Sequence, residues 1–167
     1  MQTISDASLN NLTADLAAML LSKQIKLVSA ESCTGGWLAK CCTDLAGSSR
    51  WFERGFITYS NDAKQLQLAV SHDSLAYYGA VSQQVAEEMA LGALHYSLAD
   101  ISVAITGIAG PDGGSVDKPV GTVWIAWATK NAKVSSQRFQ FDGDRDAVRR
   151  QAVFSAMTGI IKNARDS

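Results

Sequence analysis

The sequence predicts an α/β fold, a three-layer α/β/α sandwich around a mixed, mostly parallel sheet of about five strands. Three observations lead there. Short apolar or β-branched runs alternate with amphipathic stretches along the chain, as strands alternate with crossover helices. The apolar run Lys26 to Ala30 passes through a glycine turn directly into a helical stretch, which is how an α/β unit begins. Two late strands are separated by about four turn residues, which makes them an antiparallel hairpin and the sheet mixed.

The elements follow in order. Leu9, Leu12, Leu16, Met19 and Leu20 fall at helical spacing, so residues 5–23 form an amphipathic helix capped by Ser5 or Asp6. Lys26 to Ala30 is a strand, and Trp37 to Leu45 the helix after it. Phe52 to Tyr59 is β-branched and aromatic, a second strand. Asn61, a good cap residue, opens a short helix reaching Leu68. Ser82 caps a longer helix to Ala99, with Val85, Met89 and Leu94 near one face. Ile101 to Thr106 is a strand that runs into a glycine-rich segment. Val120 to Thr129 and Val134 to Phe141 form the hairpin. A helix from Asp144 to Asn163, started by Asp142 or Asp144, completes the pattern.

The chain has 167 residues, which suits one domain over 1–167. Lys plus Arg is 15 and Asp plus Glu is 16, a net charge of −1 that argues against a sequence-independent nucleic-acid binder. Hydrophobic residues make up 47% and charged residues 19%, enough apolar material for a packed core. Cys33, Cys41 and Cys42 form no C-x-x-C, so neither a disulfide framework nor a zinc knuckle is expected. Met1 to Asp6 carries no basic leader, and the longest apolar stretches are about half the length a membrane span needs. A cytoplasmic protein with no membrane partner is the expectation.

Four segments carry candidate chemistry. The first is Glu31-Ser-Cys-Thr-Gly-Gly36, a strand-to-helix turn. Such a turn offers free N–H groups and the positive end of a helix dipole, and glycines let an oxyanion approach the backbone. Ser32 is either a nucleophile beside those donors or, like Thr34, a simple helix cap. Cys33 is a competing nucleophile, its thiolate favoured at a helix N-terminus. The second is Tyr59-Ser-Asn-Asp-Ala-Lys64. Lys64 lies one turn into a helix, where the dipole and burial both lower a lysine pKa and suit it to act as a base towards a serine. The alternative is a solvated surface lysine.

The third segment, Thr106 to Gly114, follows a strand and so lies at the carboxyl edge of the sheet, where open α/β sheets bind ligands. It is neither a Walker A loop nor a G-x-G-x-x-G fingerprint, and a plain flexible connection is the alternative. The fourth, Phe141 to Arg150, places Arg145 in the first turn of the last helix. There it either presents a guanidinium to a phosphate or carboxylate or is an exposed charged helix start. Ser32, His72 and Asp73 make a poor triad, because adjacent His and Asp side chains rarely face each other. No carboxylate and histidine cluster has metal-ligand spacing, so no metal and no cofactor are expected. Trp37, Trp51, Trp124 and Trp127 suit a core or a contact between copies better than a base-stacking platform.

Six segments in this order resemble the CinA C-terminal family: A-E-S-C-T-G-G (30–36), A-G-S-S-x-W-F-x-R-G-F-x-T-Y-S-N-x-A-K (46–64), G-A-V-S (79–82), T-G-I-A-G-P-D-G-G (106–114), K-P-V-G-T-V-W (118–124) and G-D-R-D-x-V-R-R-Q (143–151). The likeness covers nearly the whole chain, and it is close to the family's stand-alone nicotinamide-nucleotide amidases. It implies deamidation of nicotinamide mononucleotide (NMN) to nicotinate mononucleotide and ammonia, in pyridine-nucleotide salvage. It also implies a homodimer and a Ser/Lys pair, carried here by Ser32 and Lys64, with Tyr59 as a helper that orients Lys64 or relays its proton. Candidate substrate contacts are Cys33, Thr34, Gly35 and Gly36 for the oxyanion, and Asn61, Thr106, Gly107, Gly110 and Arg145 for the rest of the nucleotide. Two other readings stay open: a nucleotide-binding sensor without turnover, and a DNA-associated protein, to which the net charge of −1 gives no support.

Overall fold

The computed structural model describes residues 4–131 and 134–165. The elements run α1 (Asp6–Lys23), β1 (Leu27–Glu31), α2 (Trp37–Asp44), a 3₁₀ turn (Ser48–Arg50), β2 (Phe52–Ile57), α3 (Asn61–Leu68), α4 (His72–Tyr78), α5 (Gln83–His95), β3 (Ile101–Gly107), β4 (Thr122–Thr129), β5 (Val134–Gln140) and α6 (Arg145–Arg165). One five-stranded sheet has the order β2-β1-β3-β4-β5. β1 pairs in parallel with β2 and β3, and β4 pairs antiparallel with β3 and β5. Only β4 therefore opposes the other strands, and the sheet is mixed as the hairpin predicts.

Side chains alternate across the sheet. Leu27, Ile101, Val103, Ile105, Val123, Ile125 and Trp127 face α1, α2 and α6, where Leu16, Leu20, Leu38, Val153 and Met157 meet them. Val28, Ala30, Ala104, Ala126 and Ala128 face the α3–α5 side, against Leu68, Val85, Met89 and Ala93. The first face is built from bulky side chains and the second mostly from alanine, which lets α5 lie close to the sheet. Close packing continues on its outer side, where a Cβ at Gly92 would fall 2.0 Å from the Leu68 carbonyl oxygen.

The differences from expectation have local causes. α4 is absent from the sequence reading because its only buried residue is Leu75, so it has no apolar period. Asn61 does not cap α3. Ser60 does, its hydroxyl accepting the Ala63 N–H at 3.1 Å. α5 stops at His95, four residues early, and β2 stops at Ile57, two residues early. Asp144 starts α6, its carboxylate accepting the Ala147 N–H at 2.9 Å. Two residues of the β4–β5 connection, 132 and 133, lie outside the described residues. No described helix is long and apolar enough to cross a membrane.

Candidate active site

β1 and β3 lie side by side in the middle of the sheet and deliver Ser32 and Gly107 to the same edge. Ser32 follows β1 directly, and its N–H donates to the Ile105 carbonyl at 2.9 Å. The turn it opens is held from inside by Glu31. That buried carboxylate accepts the N–H groups of Gly36 (3.1 Å), Leu38 (3.1 Å) and Ala39 (2.9 Å), so it caps α2 in place of the Ser32 or Thr34 hydroxyl. Gly36 itself sits at φ 94°, and a Cβ there would meet Ile57 at 2.9 Å. Only glycine suits both constraints.

α3 brings in the partner of Ser32. Lys64 is 1% exposed, and its Nζ donates to Ser32 Oγ at 2.8 Å and to the Thr58 carbonyl at 2.7 Å. Among the described residues, no carboxylate neutralises it. Burial lowers its pKa from 10.5 to about 8. That shift is worth about 3 kcal/mol against the charged form. Burial, not the helix dipole, is the cause, because with Ser60 as the cap Lys64 lies a full turn inside α3. The surface-lysine alternative is excluded by the same burial. Cys33 moves the other way: burial pushes its thiol up to about 12, which disfavours a thiolate there. His72 is exposed on α4 and pairs loosely with Asp73 at 3.7 Å, so neither serves Ser32.

A cavity of about 280 Å³ opens over this pair. It gathers Ser32, Cys33, Tyr59, Asn61, Lys64, Thr106, Gly107, Gly110 and Arg145. These are most of the residues singled out from the sequence. Their roles divide differently than expected. Thr106 Oγ1 donates to the Ala80 carbonyl at 2.8 Å and so anchors the loop before α5. Gly110 is needed for packing, since a Cβ would fall 2.5 Å from Val120. Arg145 bridges the cavity mouth, Nη1 to the Gly110 carbonyl at 2.7 Å and Nη2 to the Tyr59 hydroxyl at 2.9 Å. Tyr59 is thus tied to Arg145 at the rim, with no hydrogen bond to Lys64 or Ser32. Three predicted contacts, Thr34, Gly35 and Gly36, do not line this cavity.

The turn's donors are fewer than the sequence suggests. Gly35 N–H is taken by the Ser32 carbonyl at 3.0 Å, Gly36 N–H by Glu31, and Trp37 N–H by the Thr34 carbonyl at 3.1 Å. Among the described residues, nothing accepts from the N–H of Cys33 or Thr34. Glu31, Thr58 and Asp112, which lines the cavity, were not singled out by sequence reasoning. A glutamate just before a strand-to-helix turn was a visible signal for the first. Among the described residues, no three His, Cys, Asp or Glu side chains gather as a metal site would require.

Residues 9–164 match the family model described as the CinA C-terminal domain. The chain is 54% identical to "Nicotinamide-nucleotide amidohydrolase PncC" of Enterobacter agglomerans, over 96% of this chain and 100% of that one. It is 53% identical to the protein of the same name from Escherichia coli K12, over 92% and 93%. The solved structure of a CinA superfamily protein from Klebsiella pneumoniae 700603 superposes with a TM-score of 0.91 at 38% identity, covering 95% of this chain and 99% of that one. By sequence and by fold, the chain belongs to the CinA C-terminal domain family.

Proposed function

We propose that the chain is an amidohydrolase that deamidates NMN through a Ser32/Lys64 acyl-enzyme. The carrying observation is the buried lysine with no counter-charge, 2.8 Å from the hydroxyl of a serine at a strand-to-helix turn. The names and identities of the bacterial relatives support the reaction class and the substrate. Neutral Lys64 accepts the Ser32 proton while Oγ attacks the carboxamide carbon. The oxyanion lies against the N–H of Cys33 at the cavity wall, with the unpaired N–H of Thr34 next along the turn. Lys64-H⁺ then gives its proton to the leaving nitrogen, the C–N bond breaks, and ammonia departs. Water enters by the same route: Lys64 takes its proton, hydroxide adds to the acyl carbon, and the C–Oγ bond breaks with the proton returned to Ser32. The product is nicotinate mononucleotide.

Arg145 keeps N–H groups beyond the two it uses on Gly110 and Tyr59, and it contacts the nucleotide's phosphate or ribose together with Asn61 and the 107–110 backbone. A cavity of about 280 Å³ suits a small molecule, not a nucleic acid. In the same reading the chain is one domain, works as a cytoplasmic homodimer in pyridine-nucleotide salvage, and needs neither metal nor cofactor.

The test is ammonia release from NMN by purified protein without added metal, beside Ser32→Ala. The expected outcome is turnover by the wild type and a loss of about 10⁴-fold or more in the variant. Equal release by both would refute the serine mechanism. Binding of NMN without release by either would make the chain a nucleotide sensor.

A further inference from the structure

Arg149 has no step in this scheme, yet it is wired to the nucleophile turn more closely than any other distant side chain. Its Nε donates to the Cys33 carbonyl and its Nη2 to the Thr34 carbonyl, each at 3.0 Å. Its guanidinium rests on Trp37, 5.2 Å from the ring centroid. These contacts lie behind the turn, in a second cavity of about 630 Å³ that also exposes Gly35 and Gly36.

The peptide bond makes this grip matter. In a trans peptide the C=O and N–H point in opposite directions, so pinning one end aims the other. The Ser32–Cys33 peptide has its carbonyl held by Gly35 N–H, which aims Cys33 N–H. The Cys33–Thr34 peptide has its carbonyl held by Arg149, which aims Thr34 N–H away from the second cavity. Thr34 is buried next to Cys33, which lines the Ser32 cavity, and its N–H has no acceptor, a costly state that an oxyanion seated at Cys33 would relieve. A cation on the carbonyl also polarises the peptide and strengthens its N–H as a donor.

We propose that Arg149 is a positioning residue, which aims and polarises the Thr34 N–H towards the oxyanion formed at Ser32. The proposal rests on the Ser32/Lys64 reading above. It requires a guanidinium, because two carbonyls one residue apart match its planar fork and not a single ammonium.

The experiment compares kcat and KM for NMN in Arg149→Ala and Arg149→Lys, with Ser32→Ala alongside and a melting curve for each. Arg149→Ala should lower kcat by about tenfold to a hundredfold while KM stays within about twofold, the pattern of a lost transition-state contact. Guanidinium at low millimolar concentration, admitted through the second cavity, should restore part of kcat, and methylammonium should not. Arg149→Lys should fold and still lose kcat. If Arg149→Ala does not fold, Arg149→Lys decides: wild-type kcat there overturns the proposal. So does a kcat loss in Arg149→Ala that guanidinium leaves untouched, or one matched by an equal rise in KM. An inactive Ser32→Ala beside a fully active Arg149→Ala would reject the role of Arg149 alone. An active Ser32→Ala would reject the underlying mechanism.

Discussion

From Glu31 to Gly36 all but two of the peptide N–H groups have a partner, whereas from Pro111 to Asp117 the chain lies in solvent and Val116 is 99% exposed. These two segments face each other across the Ser32 cavity. The first is tied by Glu31, by Ile105 and by Arg149. The second is stapled at its base, where Ile108 and Gly121 exchange hydrogen bonds with their neighbours across the loop, and beyond that is held at scattered points: Arg145 on the Gly110 carbonyl, Ser115 N–H on the Lys118 carbonyl, Lys118 on the Tyr78 carbonyl and Arg138 on the Asp117 carbonyl. The contrast separates two tasks. Bond-breaking needs groups held to within a fraction of an ångström, which is why the proposed chemistry is assigned to the rigid wall. Loops on a rigid scaffold commonly carry recognition, which is why the proposed nucleotide contacts are assigned to the exposed one.

The largest effect expected from breaking the rigid wall is at Lys64. Lys64→Met keeps length and burial but removes the base, and should lower kcat by about 10³-fold. The same change should not destabilise the fold at pH 7. The buried lysine has a folded pKa of about 8 against 10.5 when unfolded, so below pH 8 the folded state carries a poorly solvated charge. Between pH 8 and 10.5 the unfolded chain binds more protons, so wild-type stability rises with pH there while that of Lys64→Met does not. Melting curves at pH 7 and pH 9.5 check the sign. A variant that melts well below the wild type at pH 7 would mean that Lys64 is chiefly structural.

The next effect is smaller and needs no mutation. Lys64 must be neutral to accept a proton, and with a pKa of about 8 roughly a tenth is neutral at pH 7. The log of kcat/KM should therefore climb with unit slope below pH 8 and level off above it. An inflection near 10 would place an ordinary solvated lysine at this position, and a flat profile would remove the base from the scheme.

The same contrast explains what could be read from the sequence. α1 begins where the Ser5 hydroxyl meets helical spacing, and α3 has the expected bounds although its cap is Ser60 and not Asn61, because both follow from residues a few positions apart. Ser32 and Lys64 are each visible, but their local sequence fits a helix cap and a surface lysine better than a catalytic pair. Only the motif resemblance joined them, because burial of Lys64 depends on what packs over it. Glu31 reaches five to eight residues ahead to the α2 N-terminus and was within reach of a capping argument. Arg149 lies 116 residues from Cys33, and no local pattern reports such a contact. α4 escapes notice for a different reason, since its exposed turns leave little apolar signature, whereas α5 is carried too far because Tyr96, Leu98 and Ala99 continue an apolar run past its end.

The smallest expected effects fall on the loose wall, and they test Tyr59 against Arg145. The Tyr59 hydroxyl accepts from Arg145 and makes no bond to Lys64, and the residue is 61% exposed. A proton relay would need a path to the amine that this geometry lacks. Arg145→Ala removes the tether to Gly110 and a cation at the mouth, and should raise KM for NMN by about tenfold to a hundredfold with kcat changed only a few-fold. Tyr59→Phe removes one neutral partner of that guanidinium and should raise KM by a few-fold at most. Neither variant should move the inflection near pH 8, because neither touches the Lys64 environment. A shift of that inflection in Tyr59→Phe, or a kcat loss as large as that of Lys64→Met, would transfer Tyr59 to the rigid wall and restore it as a catalytic group. Steady-state kinetics across pH 6.5 to 9.5 on the two variants therefore locates the boundary between the wall that breaks the bond and the wall that holds the nucleotide.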